Sequence, residues 1–293
     1  MNNPLMLPPK TTRRIVGSFR MRNPVLARTR VGRTYMRTTL EDMNGSLPAY
    51  AWQEELFRDL SIFDMSRVHV EGQLRWHAGR QIIDVSYIDD SMQNRLTDAV
   101  QLIPQSVCPL PKLMPYLQSA VNQINIRPLS AFVQSVLSDD SVAFAFVLAP
   151  ASINHHHNYP GGLLMHSLEC FQMVERHKEF PYREFQIGLV AALFHDIGKV
   201  LTLTHEMKRT SLGCSIDHDK LTFEILAPHL EKLDEDLADV GRELRYLLSW
   251  KLKRRIPKYN MADLVTCYDR VSTGLDMGRR RHGKRETTAC RRF

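Results

Sequence analysis

The hydrophobic period of the chain changes near Pro104, and this change limits the folds that the chain can adopt. Before that point, apolar and polar residues alternate in short runs, as they do in half-buried strands. After it, apolar residues recur at the helical spacing i, i+3, i+4 and i+7, for example at Ile187, Val190, Ala191 and Phe194. The 293 residues are enough for two domains. We therefore predict an α+β chain in which a small β-barrel precedes an all-helical bundle.

The strands of the N-terminal part are predicted to meet at turns that contain glycine. The runs YMRTTLED and LPAYAW flank Asn44-Gly45, which is a strong hairpin signal. The runs RVHVEGQLRW and RQIIDVSYI flank His77-Ala78-Gly79. Several short strands with glycine at the corners are typical of a small β-barrel, which we assign to residues 31–95.

The rest of the chain is predicted to be helical. Residues 96–140 hold short helices with a proline near each start, and we interpret them as a linker. Residues 141–278 form the main helical domain, with helices expected at about 163–178, 184–200, 217–230, 235–252 and 260–275.

Both ends of the chain are basic. Residues 1–37 hold nine Lys and Arg and no acid, and residues 279–293 hold seven Lys and Arg with one acid. The net charge of +7 therefore resides in the ends, and the body between them is mildly acidic. We interpret residues 1–30 as an extended arm that ends in a first strand near Ser18 to Arg22, and residues 279–293 as a disordered tail. Both ends suit a polyanion such as nucleic acid, and the alternative is that they only increase solubility.

Cysteine usage and hydropathy predict a cytoplasmic protein that does not enter a membrane. The five cysteines include no CxxC pair, which disfavours a disulfide framework and a zinc ribbon. No uninterrupted apolar run reaches the roughly 18 residues that a membrane helix needs. No apolar segment at the N-terminus has the form of a secretory signal.

Three segments carry residues suited to metal chemistry: HHHNYPGGLLMHSLEC, AALFHDIGKVL and ADLVTCYDRVS. Histidine and carboxylate side chains bind divalent metals of intermediate hardness, such as Mn, Fe, Co and Ni. These segments lie on separate predicted helices, and ligands from several helices can converge in the core of a bundle.

The three segments resemble the HD superfamily of metal-dependent phosphohydrolases. The family pattern His, His-Asp, Asp maps here onto His166, His195, Asp196 and Asp269. The resemblance implies a bound divalent metal (Mn, Fe, Co, Ni or Mg) with Asp196 as a catalytic ligand. Asp263 and Asp276 are rival choices for the last ligand, and Asp269 is preferred because the family's final Asp lies in a segment like DRVS. Lys199, as in related HDIGK sequences, is expected to contact a substrate phosphate.

Further histidines are candidates for a second metal. His218 resembles the intermediate histidine of two-metal HD proteins, and His205 is a weaker candidate. The run His155-His156-His157 either lines the pocket, with His156 as an added ligand, or is a solvated loop before Pro160.

Two narrower resemblances connect the chain with nucleic acid. The N-terminal strands look like an OB-fold, and an OB-fold joined to an HD domain is similar to bacterial 3′–5′ exoribonucleases of the HD type. The segment APASINHHHNYPGGLLMHSLE resembles the HD-containing relaxases of integrating conjugative elements. The nucleic-acid contacts expected on the barrel are stacking aromatics and turn-flanking arginines, namely Trp52, Trp76, Tyr87, Arg75 and Arg80.

The sequence favours a metal-dependent phosphodiesterase that acts on single-stranded RNA or DNA, in the manner of a 3′–5′ exonuclease. Three alternatives stay open: a relaxase-like DNA nickase or conjugation accessory protein, a nucleotide phosphohydrolase, and a non-catalytic nucleic-acid-binding protein. A homo-oligomer is also expected, because a five-stranded barrel can leave unpaired edges.

Overall fold

The computed structural model of the protein describes residues 12–60, 63–77, 79–90, 98–252 and 256–289. The chain divides into two compact units, Met1–Val107 and Cys108–Phe293. The first unit holds the strands and the second the main helices. The predicted order, a barrel followed by a helical bundle, is therefore confirmed.

The first unit is a closed five-stranded barrel. Its strands are β1 (Arg13–Arg28), β2 (Thr34–Asp42), β3 (Gly45–Ala51), β4 (Ser66–His77) and β5 (Arg80–Asp89). They are joined in the order β1-β2-β3-β5-β4, and β1 pairs with β4 to close the barrel. Alternate residues of each strand, such as Val68, Val70 and Leu74 on β4, fill the interior. This is the OB-like barrel that the sequence predicts.

Both predicted hairpins are present. In the first, the Asp42 carboxylate accepts hydrogen bonds from the backbone N–H of Asn44 at 2.7 Å and of Gly45 at 3.1 Å, which fixes the turn. In the second, Gly79 has a φ of 79°, a left-handed conformation that glycine adopts without strain. The side chain of Asp42 therefore stabilises the first turn, and Gly79 supplies the left-handed conformation of the second.

The barrel begins earlier than predicted. Residues 13–28, assigned to the basic arm, form β1, whereas residues 1–11 lie outside the described residues. The alternation of β1 is hidden in the sequence because the pairing with β2 shifts between Arg22 and Val25, around Pro24. It is also hidden because Arg20 is buried, with its Nε donating to the Leu102 carbonyl at 3.0 Å.

The closed barrel has no unpaired strand edge among the described strands. Each of the five described strands pairs with a neighbour on both sides. The sheet-edge reason for expecting a homo-oligomer is therefore wrong for the described strands, and the oligomer itself stays a prediction without that support.

The second unit consists of helices. They are α1 (Met114–Asn122), α2 (Arg127–Ser138), α3 (Asp140–Leu148), α4 (Gly162–Val174), α5 (Tyr182–Phe194), α6 (Lys199–Thr202), α7 (Ser211–Ser215), α8 (His218–Ser249) and α9 (Asn260–Ala289). Every residue of α5 from Phe185 to Phe194 is buried, and α5 packs against α4, α8 and α9. The helices α1 and α2, predicted to be a linker, belong to this unit, because their apolar faces pack on its core.

Two helices are longer than predicted. α8 joins two predicted helices across a kink at Leu237. α9 continues to Ala289, so the tail predicted to be disordered is helical over residues 279–289. The high charge suggested disorder, but Arg, Lys and Glu are good helix formers and α9 contains no proline.

One segment of the described residues, Tyr182–Thr202, is long and apolar enough to cross a membrane, although 78% of its apolar window is buried inside the protein. Core helices of water-soluble proteins have the same length and composition.

Candidate metal centre

Four side chains from three helical segments converge in the second unit. His166 Nε2 lies 3.1 Å from His195 Nε2, 3.4 Å from Asp196 Oδ2 and 3.2 Å from Asp269 Oδ1. His195 Nε2 lies 3.5 Å from Asp196 Oδ2 and 3.7 Å from Asp269 Oδ1. We refer to these four residues as the HD cluster. They are the four that the sequence singled out as metal ligands.

The donor set and its spacing fit a divalent metal ion. Two ligand atoms that each lie about 2.1 Å from one ion are separated by about 3.0 to 3.4 Å at octahedral and tetrahedral angles. The four potential ligand atoms of the HD cluster lie within 4.8 Å of one another, and the contacts above approach that ideal spacing. Two imidazole nitrogens and two carboxylate oxygens suit Mn, Fe, Co or Ni better than Ca.

Two close approaches of the backbone explain the glycines around the HD cluster. A Cβ on Gly198, in the segment HDIGK, would lie 2.0 Å from the carbonyl oxygen of His218. A Cβ on Gly162, at the start of α4, would lie 2.0 Å from the carbonyl oxygen of His157. Larger residues there would push away α8 and the loop of His155, His156 and His157, which we call the histidine loop.

Both histidines of the HD cluster are oriented so that Nε2 faces the cluster. The Nδ1 of His195 lies 3.0 Å from the Ala192 carbonyl, which can only accept, so Nδ1 carries the proton. The Nδ1 of His166 lies 3.0 Å from Ser272 Oγ, whose hydroxyl donates to Glu169 Oε2 at 2.7 Å. Ser272 therefore accepts from His166, so in both histidines Nε2 is the nitrogen that faces the cluster and remains to bind an ion.

The charges of the HD cluster favour ionised carboxylates. Burial alone would raise the pKa of Asp196, but the charges of Lys199 and His195 outweigh it and hold the pKa well below its usual range. Hydrogen bonds from the two histidines likewise outweigh burial and lower the pKa of Asp269. Burial would lower the pKa of His195, whereas the charge of Asp196 and hydrogen bonds to both carboxylates raise it to about 10. An ion would therefore displace a proton from this site.

Cys170 also lies within reach of His166 and His195. Burial raises the pKa of its thiol well above the usual value, and the charges of Asp269 and Asp196 add to that shift. Metals bind the thiolate rather than the thiol. The carboxylates are therefore the better partners for the two histidines.

Lys199 contacts the HD cluster and a neighbouring cavity. Its ammonium donates to Asp196 Oδ2, and the side chain is nearly buried. It also lines a cavity of about 350 Å³. The contact of Lys199 with a substrate phosphate stays a prediction.

A second group of possible ligands shares Asp196. His218 Nε2 lies 3.1 Å from Asp196 Oδ1 and 3.4 Å from Asp219 Oδ1. Asp196 therefore directs one oxygen to the HD cluster and the other to His218, as a carboxylate that bridges two ions does. Asp219 was missed in the sequence, although it stands next to His218.

The histidine loop divides into three environments. The ring of His156 lies 5.0 Å from that of His166, and its two nitrogens are buried without a hydrogen-bond partner among the described residues. Burial, followed by the charge of Lys199, lowers the pKa of His156 to about 3. His155 is exposed, whereas His157 is buried with its Nε2 3.3 Å from Glu169 Oε2. The loop thus lines the site, and His205 is exposed outside it.

The rival choices for the last ligand have other partners. Asp263 accepts a hydrogen bond from Trp250 Nε1 at 2.6 Å. Asp276 accepts one from the backbone N–H of His157 at 2.8 Å. Of the three aspartates, the structure brings Asp269 into the HD cluster.

Sequence reasoning missed the two residues that orient His166. Glu169 follows His166 by three residues on α4, and Ser272 follows Asp269 by three residues on α9. Residues three apart share a helix face, so the helical spacing from each ligand was the available signal.

On the barrel, part of the predicted nucleic-acid set is brought together. Trp52 stacks on Tyr50 with ring centroids 5.3 Å apart and on Tyr35 at 5.0 Å, and 47% of Trp52 is exposed. Arg80 Nη2 donates to the Tyr50 hydroxyl at 3.0 Å. Arg75 lines a cavity of about 240 Å³ with Trp52. We call Tyr35, Tyr50, Trp52, Arg75 and Arg80 the aromatic face.

Two other predicted contacts have different surroundings. Tyr87 is exposed, but the charge of Asp89 raises its pKa, and Tyr87 pairs with Glu71 across the strands. Trp76 is 40% exposed on β4, and it follows Arg75, so the two side chains leave the strand on opposite faces. Among the described residues, neither Tyr87 nor Trp76 stacks with Trp52.

Part of the second unit is similar to a known domain family. The family model described as HD domain matches residues 163–275, which include all four residues of the HD cluster. The chain is 21% identical over 222 residues to the 3′-5′ exoribonuclease YhaM of Listeria innocua, covering 73% of this chain and 67% of that protein. It is 20% identical over 224 residues to the YhaM of Listeria welshimeri, covering 74% and 70%. The YhaM of Halalkalibacterium halodurans is 23% identical over 184 residues, covering 61% and 56%.

Proposed function

We propose that this chain, an HD-domain metal-dependent phosphohydrolase, hydrolyses the phosphodiester bonds of single-stranded nucleic acid, in the manner of a 3′–5′ exonuclease. The observation that carries the proposal is the HD cluster on the same chain as an OB-like barrel with an exposed aromatic face. The similarity of the chain to proteins named 3′-5′ exoribonuclease, over 73% and 74% of its length, supports the direction and the substrate class.

The HD cluster would hold the ion through His166, His195, Asp196 and Asp269. A bound divalent ion lowers the pKa of water and neutralises phosphoryl oxygens. Ser272 and the Ala192 carbonyl keep the two histidines aligned. Lys199 would contact a phosphoryl oxygen and stabilise the charge that develops on it.

The neighbouring group would serve a second ion or the substrate. His218 and Asp219 share Asp196 with the HD cluster, which supports the prediction of His218 as a further ligand. His156 lies beside His166 with its ring nitrogens unpaired among the described residues, which supports a role in the same site.

The barrel and the basic ends would bind the nucleic-acid strand. Bases would stack on the aromatic face, where each stacked base contributes about 1–3 kcal/mol. Arg75 and Arg80 would contact phosphates, and Trp76 and Tyr87 remain predicted contacts of the barrel. The seven Lys and Arg of residues 279–293 would add affinity that falls with salt. A cytoplasmic location, where such substrates occur, belongs to the same proposal.

The test is a time course on end-labelled single-stranded RNA and DNA, with Mn, Fe, Co, Ni and Mg each supplied in turn. We expect products that shorten one nucleotide at a time from the 3′ end. A matching time course on supercoiled plasmid and on free nucleotides checks the other candidate activities.

Each of the other outcomes contradicts the proposal. Relaxation of plasmid without shortening of free ends would favour a relaxase-like nickase. Hydrolysis of nucleotides but not of oligonucleotides would favour a nucleotide phosphohydrolase. Tight binding without turnover in any metal would favour a non-catalytic binding protein.

A further inference from the structure

The wall of the 350 Å³ cavity beside the HD cluster includes a cation, Arg209, to which the proposed hydrolysis assigns no role. Its polar lining includes Asn154, His155, His156, Lys199, Arg209 and His218. Asp217 is the one carboxylate among its lining residues. The volume is within the range of small-molecule sites.

Two residues that line this cavity also contact the HD cluster. Lys199 donates to Asp196, and His218 Nε2 lies 3.1 Å from the other oxygen of Asp196. Lys199 and His218 therefore lie both at the wall of this cavity and beside Asp196. His218 also lines a second cavity, of about 210 Å³, whose lining includes His195, Asp196 and Asp269 of the HD cluster together with Asp219 and Lys251.

Arg209 is held in place on an ordered hairpin. Leu203 and Arg209 form a bridge, and the backbone N–H of Thr204 donates to the Lys208 carbonyl at 2.8 Å. Arg209 Nη1 donates to the Gly213 carbonyl at 2.9 Å. No carboxylate among the described residues forms an ion pair with this guanidinium. Its charge is therefore oriented and uncompensated at the cavity wall.

We propose that Arg209 binds the substrate phosphate adjacent to the one that is cleaved, and that the cavity holds the nucleotide between the two phosphates. The inference rests on the proposed function, since it assumes a phosphodiester at the HD cluster. Guanidinium groups bind phosphate oxygens in pairs of hydrogen bonds, which an ammonium cannot reproduce. Arg209 would then make the site prefer a strand over a lone phosphodiester.

The test compares substrates with one and with two phosphates. The substrates are bis(p-nitrophenyl) phosphate, an unphosphorylated dinucleotide, and the same dinucleotide with a 5′- or a 3′-terminal phosphate. Wild-type protein should prefer one phosphorylated dinucleotide. Arg209→Ala should lower kcat/KM for it by about 10- to 100-fold, the value of a charge-assisted hydrogen bond, and leave bis(p-nitrophenyl) phosphate unchanged. Arg209→Lys should recover part of the loss.

The matched control is Lys208→Ala, which removes a cation from the same hairpin, where Lys208 contacts Glu206 at 2.9 Å. It should leave all substrates unaffected. Calorimetric titration of metal-loaded protein with a nucleoside 3′,5′-bisphosphate and with the 5′-monophosphate gives a readout that is independent of turnover. Arg209→Ala should weaken the binding of the bisphosphate and leave the binding of the monophosphate unchanged.

The two proposals fail in different ways. A wild-type protein that hydrolyses none of these substrates would contradict the proposed function, and the titration would still test Arg209. Equal binding of the bisphosphate by the wild type and Arg209→Ala, or a phosphate preference that persists in Arg209→Ala, would overturn the role of Arg209.

Discussion

Ser272 Oγ lies 3.0 Å from His166 Nδ1, and its hydroxyl donates a hydrogen bond to Glu169 Oε2 at 2.7 Å. The hydroxyl can donate once, so its bond to Glu169 fixes it as the acceptor for His166. The buried serine thus sets the tautomer of the histidine at the centre of the HD cluster. Partners of this kind orient a metal ligand and raise its basicity.

Ser272→Ala should therefore weaken metal binding by about 10- to 100-fold, the usual cost of losing such a partner. Calorimetric titration of Mn into metal-free protein measures the affinity. Ser249→Ala, at an exposed serine at the end of α8, should bind Mn as the parent does. Equal affinities in the two variants would show that Ser272 does not orient His166.

The aromatic face predicts a loss of strand binding at one residue. Trp52→Ala should weaken the binding of single-stranded oligonucleotides by about 1–3 kcal/mol, because it removes an exposed stacking surface. Fluorescence anisotropy without metal measures binding in the absence of cleavage. Tyr116→Ala, at a 56% exposed tyrosine on α1, is the control and should have no effect. A Trp52→Ala protein with parental affinity would contradict the assignment of this face.

The sequence predicted the parts of this molecule that have local signals. The turn at Asn44-Gly45, the helical period of α5 and the HDIGK segment are short-range patterns, and each corresponds to the expected element. Of strand β1 only a short piece near Ser18 to Arg22 was predicted, because its proline and its buried Arg20 interrupt the alternation, and the partner of Arg20 is Leu102, 82 positions away. No local pattern records such a partner.

The same distinction applies to the site. The four residues of the HD cluster are recognisable because each lies in a motif. Arg209 and Asp219 lie in no such motif, and only the packing of loops and helices brings them near the site. Residues of this kind are found from coordinates.

A buried histidine away from the HD cluster predicts a dependence of stability on pH. His229 Nδ1 lies 2.7 Å from Ser135 Oγ, and burial lowers its pKa from the usual 6.5. Below pH 6.5 the unfolded chain therefore binds a proton that the folded chain excludes. The free energy of unfolding should fall as the pH decreases from 6.5 towards the folded pKa.

Urea denaturation at pH 7 and at pH 5 tests this dependence. His229→Gln should reduce the difference in unfolding free energy between the two pH values, because glutamine does not titrate. His205→Gln, at an exposed histidine, should leave the difference as it is in the parent. An undiminished pH dependence in His229→Gln would exclude His229 as a source.

In the proposed function, the HD cluster performs the hydrolysis and the barrel binds the strand. Asp196 contacts both histidines of the cluster and His218, so Asp196→Ala removes the carboxylate shared by the two ligand groups. Asp236→Ala, at an exposed aspartate on α8, removes the same charge from the same unit. Circular dichroism and a cooperative melt establish that both variants are folded.

The decisive measurement is the cleavage rate of end-labelled single strands by Asp196→Ala, with binding of the same strands measured in parallel. We predict that kcat falls by about a thousandfold or more while strand affinity is nearly unchanged, and that Asp236→Ala behaves as the parent. A folded Asp196→Ala protein that cleaves at the parental rate with the same metal would contradict the assignment of hydrolysis to the HD cluster.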